Sequence, residues 1–135
     1  MTTRTVRIDP DGKITELAED GHEAASIAFG SSVTVVTCAA PMLPPGVFVG
    51  WIDDFGAQDL PLNMKAWALY GRSSIFGPMI LGMDSGNPVP AHVIDMLNEP
   101  IEAWVPAETV AYMREHEHDP RPRMMAPRPT KEDTE

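Results

Sequence analysis

The chain is poor in the residues that would advertise a chemistry. It has one cysteine in 135 residues, so no internal disulfide can form and no CxxC pair exists. Cys38 is flanked by Val36, Thr37 and Ala39, the setting of a buried strand end where a thiol serves as a small hydrophobe. A disulfide-free chain fits a reducing interior. Basic residues are scarce as well: ten Lys and Arg stand against twenty Asp and Glu, a net charge of −10. Nucleic acid and anionic membrane surfaces are bound through Lys and Arg, so both are expected to be repelled. The longest apolar stretch, residues 76–83, is broken by Gly77 and Pro78 and falls far short of the roughly 20 residues that a membrane-spanning helix needs. The opening residues MTTRTVRIDP lack the apolar core of a secretory signal. Together these absences lead us to expect a soluble, cytoplasmic protein.

Motifs are missing too. There is no GxSxG elbow, no P-loop and no GxGxxG. Ser73 and Ser74 have no sequence context for a nucleophile, and His22 and His92 sit in predicted helices that need no further role for them. We assign no catalytic, cofactor-binding or metal-ligating residue.

What is present is a globular composition: 43% apolar residues are enough for a core, and 135 residues fit one domain of ordinary size. Fourteen Pro and ten Gly predict short elements joined by many turns. The charge is uneven. Residues 1–118 hold sixteen Asp and Glu against six Lys and Arg, which gives the whole −10, whereas residues 119–135 hold four of each and balance. We divide the chain accordingly: a single domain over 1–118, and a Pro-rich, flexible tail over 119–135.

Residues 4–8 and 13–17 alternate around Asp9-Pro10-Asp11-Gly12, which predicts an N-terminal hairpin. Asp20, three residues before Glu23, predicts the start of a helix carrying Ala24, Ile27 and Ala28 and closed by Gly30. The β-branched run 32–38 and the apolar run 47–52 read as strands, the second turned at residues 53–56. Asn63 caps a short helix through Trp67 and Ala68 that ends at Gly71. Residues 75–83 read as a central strand with Gly77-Pro78 marking a bulge or its beginning, and 84–87 as a turn. Pro90 is placed at the first position of a helix with Val93, Met96 and Leu97 on one face, stopped by Pro100. Pro106 and Glu108 open a last helix through Val110, Met113 and Arg114. Five short strands and three to four short helices without βαβ alternation give an α+β fold with a mainly antiparallel sheet.

Three clusters hold residues of the types that carry chemistry. His116 and His118 flank Glu117, but residues two apart on a helix face different ways, unlike the i,i+4 pair of a zinc helix. Asp53, Asp54 and Asp59 form an acidic loop whose spacing matches no EF-hand, so a solvated turn accounts for it. Trp51, Trp67 and Trp104 lack the basic residues that a base-stacking platform needs and read as core or core edge.

The stretch 60–82, LPLNMKAWALYGRSSIFGPMILG, resembles the DUF3846 family, a small domain of bacteriophage and mobile-element proteins. The matching residues are Leu60, Pro61, Asn63, Ala66, Leu69 and Tyr70, with Gly30 and residues 33–36 agreeing upstream; the likeness covers roughly residues 6–97. The family has no established catalytic residues, so the resemblance implies a context and no chemistry. With the acidic body, it leads us to expect a non-enzymatic phage or mobile-element accessory protein that binds a basic host or phage protein. Trp51, Asp53, Asp54 and Asp59 are its candidate interaction surface. The alternatives are a virion or assembly protein whose Pro-rich tail reaches a neighbour, and a small ligand-binding protein or enzyme with a pocket near Trp51 and Tyr70.

Overall fold

The structure, a computed structural model, describes residues 2–117. The proposed tail over 119–135, and His118, lie outside the described residues. Strands β1 (Thr5–Ile8) and β2 (Ile14–Leu17) form the expected hairpin. Its turn is closed by the Gly12 amide donating to the Asp9 carbonyl at 2.9 Å, and Gly12 takes φ +92°, which a side chain would resist. Strands β3 (Val33–Thr37), β4 (Phe48–Asp53) and β5 (Met79–Met83) complete one five-stranded sheet in the order β2-β1-β5-β4-β3, with every neighbouring pair antiparallel. The α+β class is as expected. β5, MILGM, holds the central place, and its side chains are apolar or absent on both faces, as a strand covered on both sides requires.

Helix α1 (Gly21–Phe29) is capped as predicted: the Asp20 carboxylate accepts from the Glu23 amide at 2.9 Å. One turn of helix, α2 (Gly56–Asp59), stands where only a turn was expected. It is followed by α3 (Met64–Tyr70), α4 (Ala91–Asn98), a 3-10 turn (Ile101–Ala103) and α5 (Ala107–His116). Pro90 and Pro106 sit one residue before their helices rather than inside them, with extended ψ and their carbonyls accepting the first helical bonds. The expected strand 75–83 begins only at Met79. Gly77 turns the backbone with φ +83° and Pro78 has no amide to give a ladder, so Phe76 makes an isolated bridge with Leu62 instead.

The two faces of the sheet are covered unequally. Val6, Ile8, Val36, Phe48, Ile52, Met79 and Leu81 form one face and pack against Ala66 and Leu69 of α3 and Val93, Ile94 and Leu97 of α4. Leu69, Leu81 and Leu97 are fully buried there, each contributing about 2 kcal/mol by burial. Behind α3, Trp67 and Ala68 pack with Ile101, Val105, Val110 and Met113, which docks α5 as an outer layer. Among the described residues the opposite face of the sheet is covered by α1, through Ala24 and Ala25 against Val49, Trp51 and Ile80.

Asn63 does more than the predicted capping. Its Oδ1 accepts from the Ala66 amide at 3.1 Å, while Nδ2 donates to the carbonyls of Ile8 and Gly77, each at 2.9 Å. The residue is 1% exposed, so every one of these bonds is made away from water. Asn63→Ala removes a cap and leaves two buried carbonyls without that donor. The expected loss is about 3 kcal/mol, read as a lower urea midpoint at unchanged slope. A loss under about 1 kcal/mol would show that water replaces the amide and that the bonds are not structural.

Candidate functional site

The thinly covered face carries several of the cavities, while another of about 320 Å³ lies beside the loop after β3, at Cys38, Pro41 and Arg72. α1 approaches the sheet closely because its inward residues are Gly21, Ala24 and Ala25. The Trp51 indole fills the gap at its first turn: a Cβ on Gly21 would overlap the indole ring, and one on Gly82 across the sheet would lie 3.1 Å from it. Two glycines therefore make the seat for one tryptophan. His22 stands edge-on to the indole, with ring centroids 5.9 Å apart.

Around this indole lie two open cavities. One of about 280 Å³ is bounded by Arg4, Asp20, His22, Trp51, Met83 and Asp84. The other, about 320 Å³, lies between α1 and β3 and is bounded by His22, Ala25, Ser26, Val33, Val35 and Trp51. Both are of the size of the smallest ligand pockets, about 300 Å³. The Nε1 of Trp51 is buried without a hydrogen-bond partner, the one such side-chain atom among the described residues. An orphaned buried donor costs about 1–3 kcal/mol, so this is a place where stability is given up.

The residues singled out from sequence do not form one surface. Trp51 is 7% exposed, so it is part of the packing and not of the exterior as expected of an interaction surface. Asp53 turns back on the chain, its Oδ1 accepting from the Phe55 amide at 2.8 Å, and Asp54 accepts from the Thr34 hydroxyl. Asp59 ends α2 and is exposed. Nor do Trp51 and Tyr70 share a pocket. Trp51 lies on the α1 face, whereas Tyr70 packs against the cluster on the opposite face, with the sheet between them. His116 pairs with Tyr112 one turn earlier, with ring centroids 4.3 Å apart. Among the described residues no group of three or more His, Cys, Asp and Glu is placed to hold a metal ion.

Other charged groups are tied to the scaffold. Lys65 donates to the carbonyls of Gly12 and Leu97 at 3.0 and 2.6 Å, placing a cation at the C-terminal end of α4, and burial pulls its ammonium below the usual lysine range. Glu102 is held below the usual carboxylate range by a backbone hydrogen bond first and by Arg114 second. Sequence reasoning missed the α1 face as a site. Its signal was the small-residue run Gly21, Ala24, Ala25, which marks a helix that lies close to its neighbour. No family model, no curated protein and no solved structure matches this chain. No helix among the described residues is long and apolar enough to cross a membrane.

Gly21→Ala would normally favour a helix by about 0.5–1 kcal/mol. Here it must displace the indole, so a net loss of about 1–3 kcal/mol is expected by urea denaturation, and a stabilised variant would refute the seat. Cys38 gives a second test. It is 1% exposed, and burial raises its thiol from the ordinary 9.0 to about 12. Above 9.0 the unfolded thiol ionises while the folded one keeps its proton, so stability is lost as pH climbs from 9.0 towards about 12. Measured against Cys38→Ala, which cancels the opposite effect of Lys65, the native chain should lose ground over that window. Equal pH profiles for the two would mean that the thiol is reached by water.

Proposed function

We propose that this chain is a non-enzymatic accessory protein that acts by binding another protein with a basic surface. The observation that carries the proposal is the charge of the body. Residues 1–118 carry sixteen Asp and Glu beside six Lys and Arg, an excess of ten negative charges. The structure ties some of those few cations internally: Arg7 pairs with Asp9 at 3.0 Å, Arg114 with Glu102 at 2.7 Å, and Lys65 with carbonyls. The surface field is negative, which speeds encounter with a positive partner and repels nucleic acid. The likeness of residues 60–82 to DUF3846 rests on the residues quoted for it, and with it goes a phage or mobile-element setting in a bacterial cytoplasm.

A second reading, a small-ligand protein, draws on the cavities beside Trp51 and no longer includes Tyr70. A metabolite thermal-shift screen supports it if the melting temperature rises and removes it if no compound raises it.

The leading reading is tested by immobilising the full chain and passing bacterial lysate over it at low ionic strength. A basic protein should be retained and should elute as the Debye length falls from about 10 Å at 0.1 M salt to about 3 Å at 1 M. An empty column at low salt sinks the proposal.

A further inference from the structure

The two edges of the sheet are built differently. At the β2 edge, Lys13 and Glu16 stand in or beside the strand, and Glu16 accepts from the Thr3 hydroxyl at 2.6 Å. Charges of this kind protect an edge from pairing with another chain. β3 has the sequence VTVVT, with no charge, proline or glycine, and among the described strands it pairs with β4 alone. Its ladder is bracketed by the Cys38 amide donating to the Phe48 carbonyl at 3.0 Å and the Asp54 amide donating to the Ser32 carbonyl at 2.9 Å. Counting in twos between them, Thr34 and Val36 turn their backbone groups towards β4, opposite Ile52 and Gly50. Val33, Val35 and Thr37 therefore turn theirs outward.

The same three residues have side chains on the α1 face, where Val33 and Val35 line the 320 Å³ cavity between α1 and β3. Val35 is 53% exposed, and the Trp51 indole, whose Nε1 is unpartnered, lines the same cavity. A row of backbone groups that no strand among the described residues pairs, next to a cavity that can take a side chain, is the arrangement that receives an added strand. We propose that the outer edge of β3 is the docking site for an extended segment of a basic partner protein, which adds a sixth strand and sets one apolar side chain into the cavity against Trp51.

Charge selects this occupant over a second copy of the chain. α1, β3 and β4 contain no Lys or Arg, and their ends carry Asp20, Glu23, Asp53 and Asp54. Two copies would bring together bodies of net charge −10, whereas a segment alternating basic and β-branched residues meets both the field and the pleat. This inference rests on the protein-binding reading given above.

The probe is an acetylated peptide alternating Val and Lys, titrated into the full chain labelled with nitrogen-15. The control peptide has the same sequence with every second amide N-methylated, which keeps the charge and removes one row of hydrogen bonds. The expected result is that the amides of Val33, Val35 and Thr37 and the indole N–H of Trp51 shift and gain exchange protection. N-methylation, or Val35→Lys in the protein, should weaken binding by about tenfold or more. No binding, equal affinity for the two peptides, or shifts confined to other surfaces would overturn the β3 site. Retention of a basic lysate protein by Val35→Lys as strongly as by the native chain would do the same while leaving the protein-binding reading intact. A concentration-dependent dimer in sedimentation that Val35→Lys abolishes would assign the edge to a second copy and also overturn the proposal.

Discussion

The carboxamide of Asn63 joins three parts of the chain that lie far apart in sequence. Through Nδ2 it holds the end of β1 at Ile8 and the turn at Gly77 that leads into β5, and through Oδ1 it starts α3. Its own amide donates to the Ile75 carbonyl at 2.7 Å and its carbonyl accepts from Trp67 at 3.0 Å. A buried amide is stable only when its donors and acceptor are matched at once, so this residue fixes three elements together or none. The seating of α3 on the sheet follows from it. So does the outer layer, because Trp67 and Ala68, on the far side of α3, hold Ile101, Val105 and α5.

That closure uses up one face of the sheet and leaves the other to a single nine-residue helix. α1 compensates by lying close, and it lies close because glycine and alanine face inward. The cost appears at Trp51. Room for its indole exists only where Gly21 and Gly82 lack side chains, and the fit leaves Nε1 buried with no acceptor. A helix this short cannot cover five strands of sheet, so the cavities on either side of it are a consequence of its size.

What the sequence made legible was local. The Asp9–Gly12 turn, the Asp20 cap with Gly30, and the Asn63 cap with Gly71 each depend on residues within one turn of each other, and all are found where expected. The central position of β5 was legible from its apolar run. What was not legible depended on which way a strand faces. β4, FVGWID, is apolar on both sides, so no alternation showed that Trp51 lies beneath α1 while Tyr70 lies on the other face. The acidic loop was legible as charge but not as geometry. Asp53 accepts from the Phe55 amide two residues on, the local bond of an acidic turn residue, whereas Asp54 accepts from the Thr34 hydroxyl twenty residues away, a partner no spacing rule identifies.

Charge and edge bear on each other. A strand of β-branched residues with free backbone groups invites pairing between copies, and natural sheets usually place a charge or proline on it. β3 has neither, so whatever keeps this edge from self-association must act from outside the strand. On the proposed reading a net charge of −10 would do so at long range, since two copies approaching edge to edge would meet repulsion before any hydrogen bond formed. The protection holds against bodies of the same sign and fails against opposite ones. On the proposed reading, the acidic surface and the bare edge are then parts of one device, in which the field filters what comes near and the strand binds what the field admits. The filter weakens with salt as screening shortens its reach, whereas the strand's backbone bonds do not. High salt would therefore loosen binding to a basic partner and, in the same step, remove the barrier between copies.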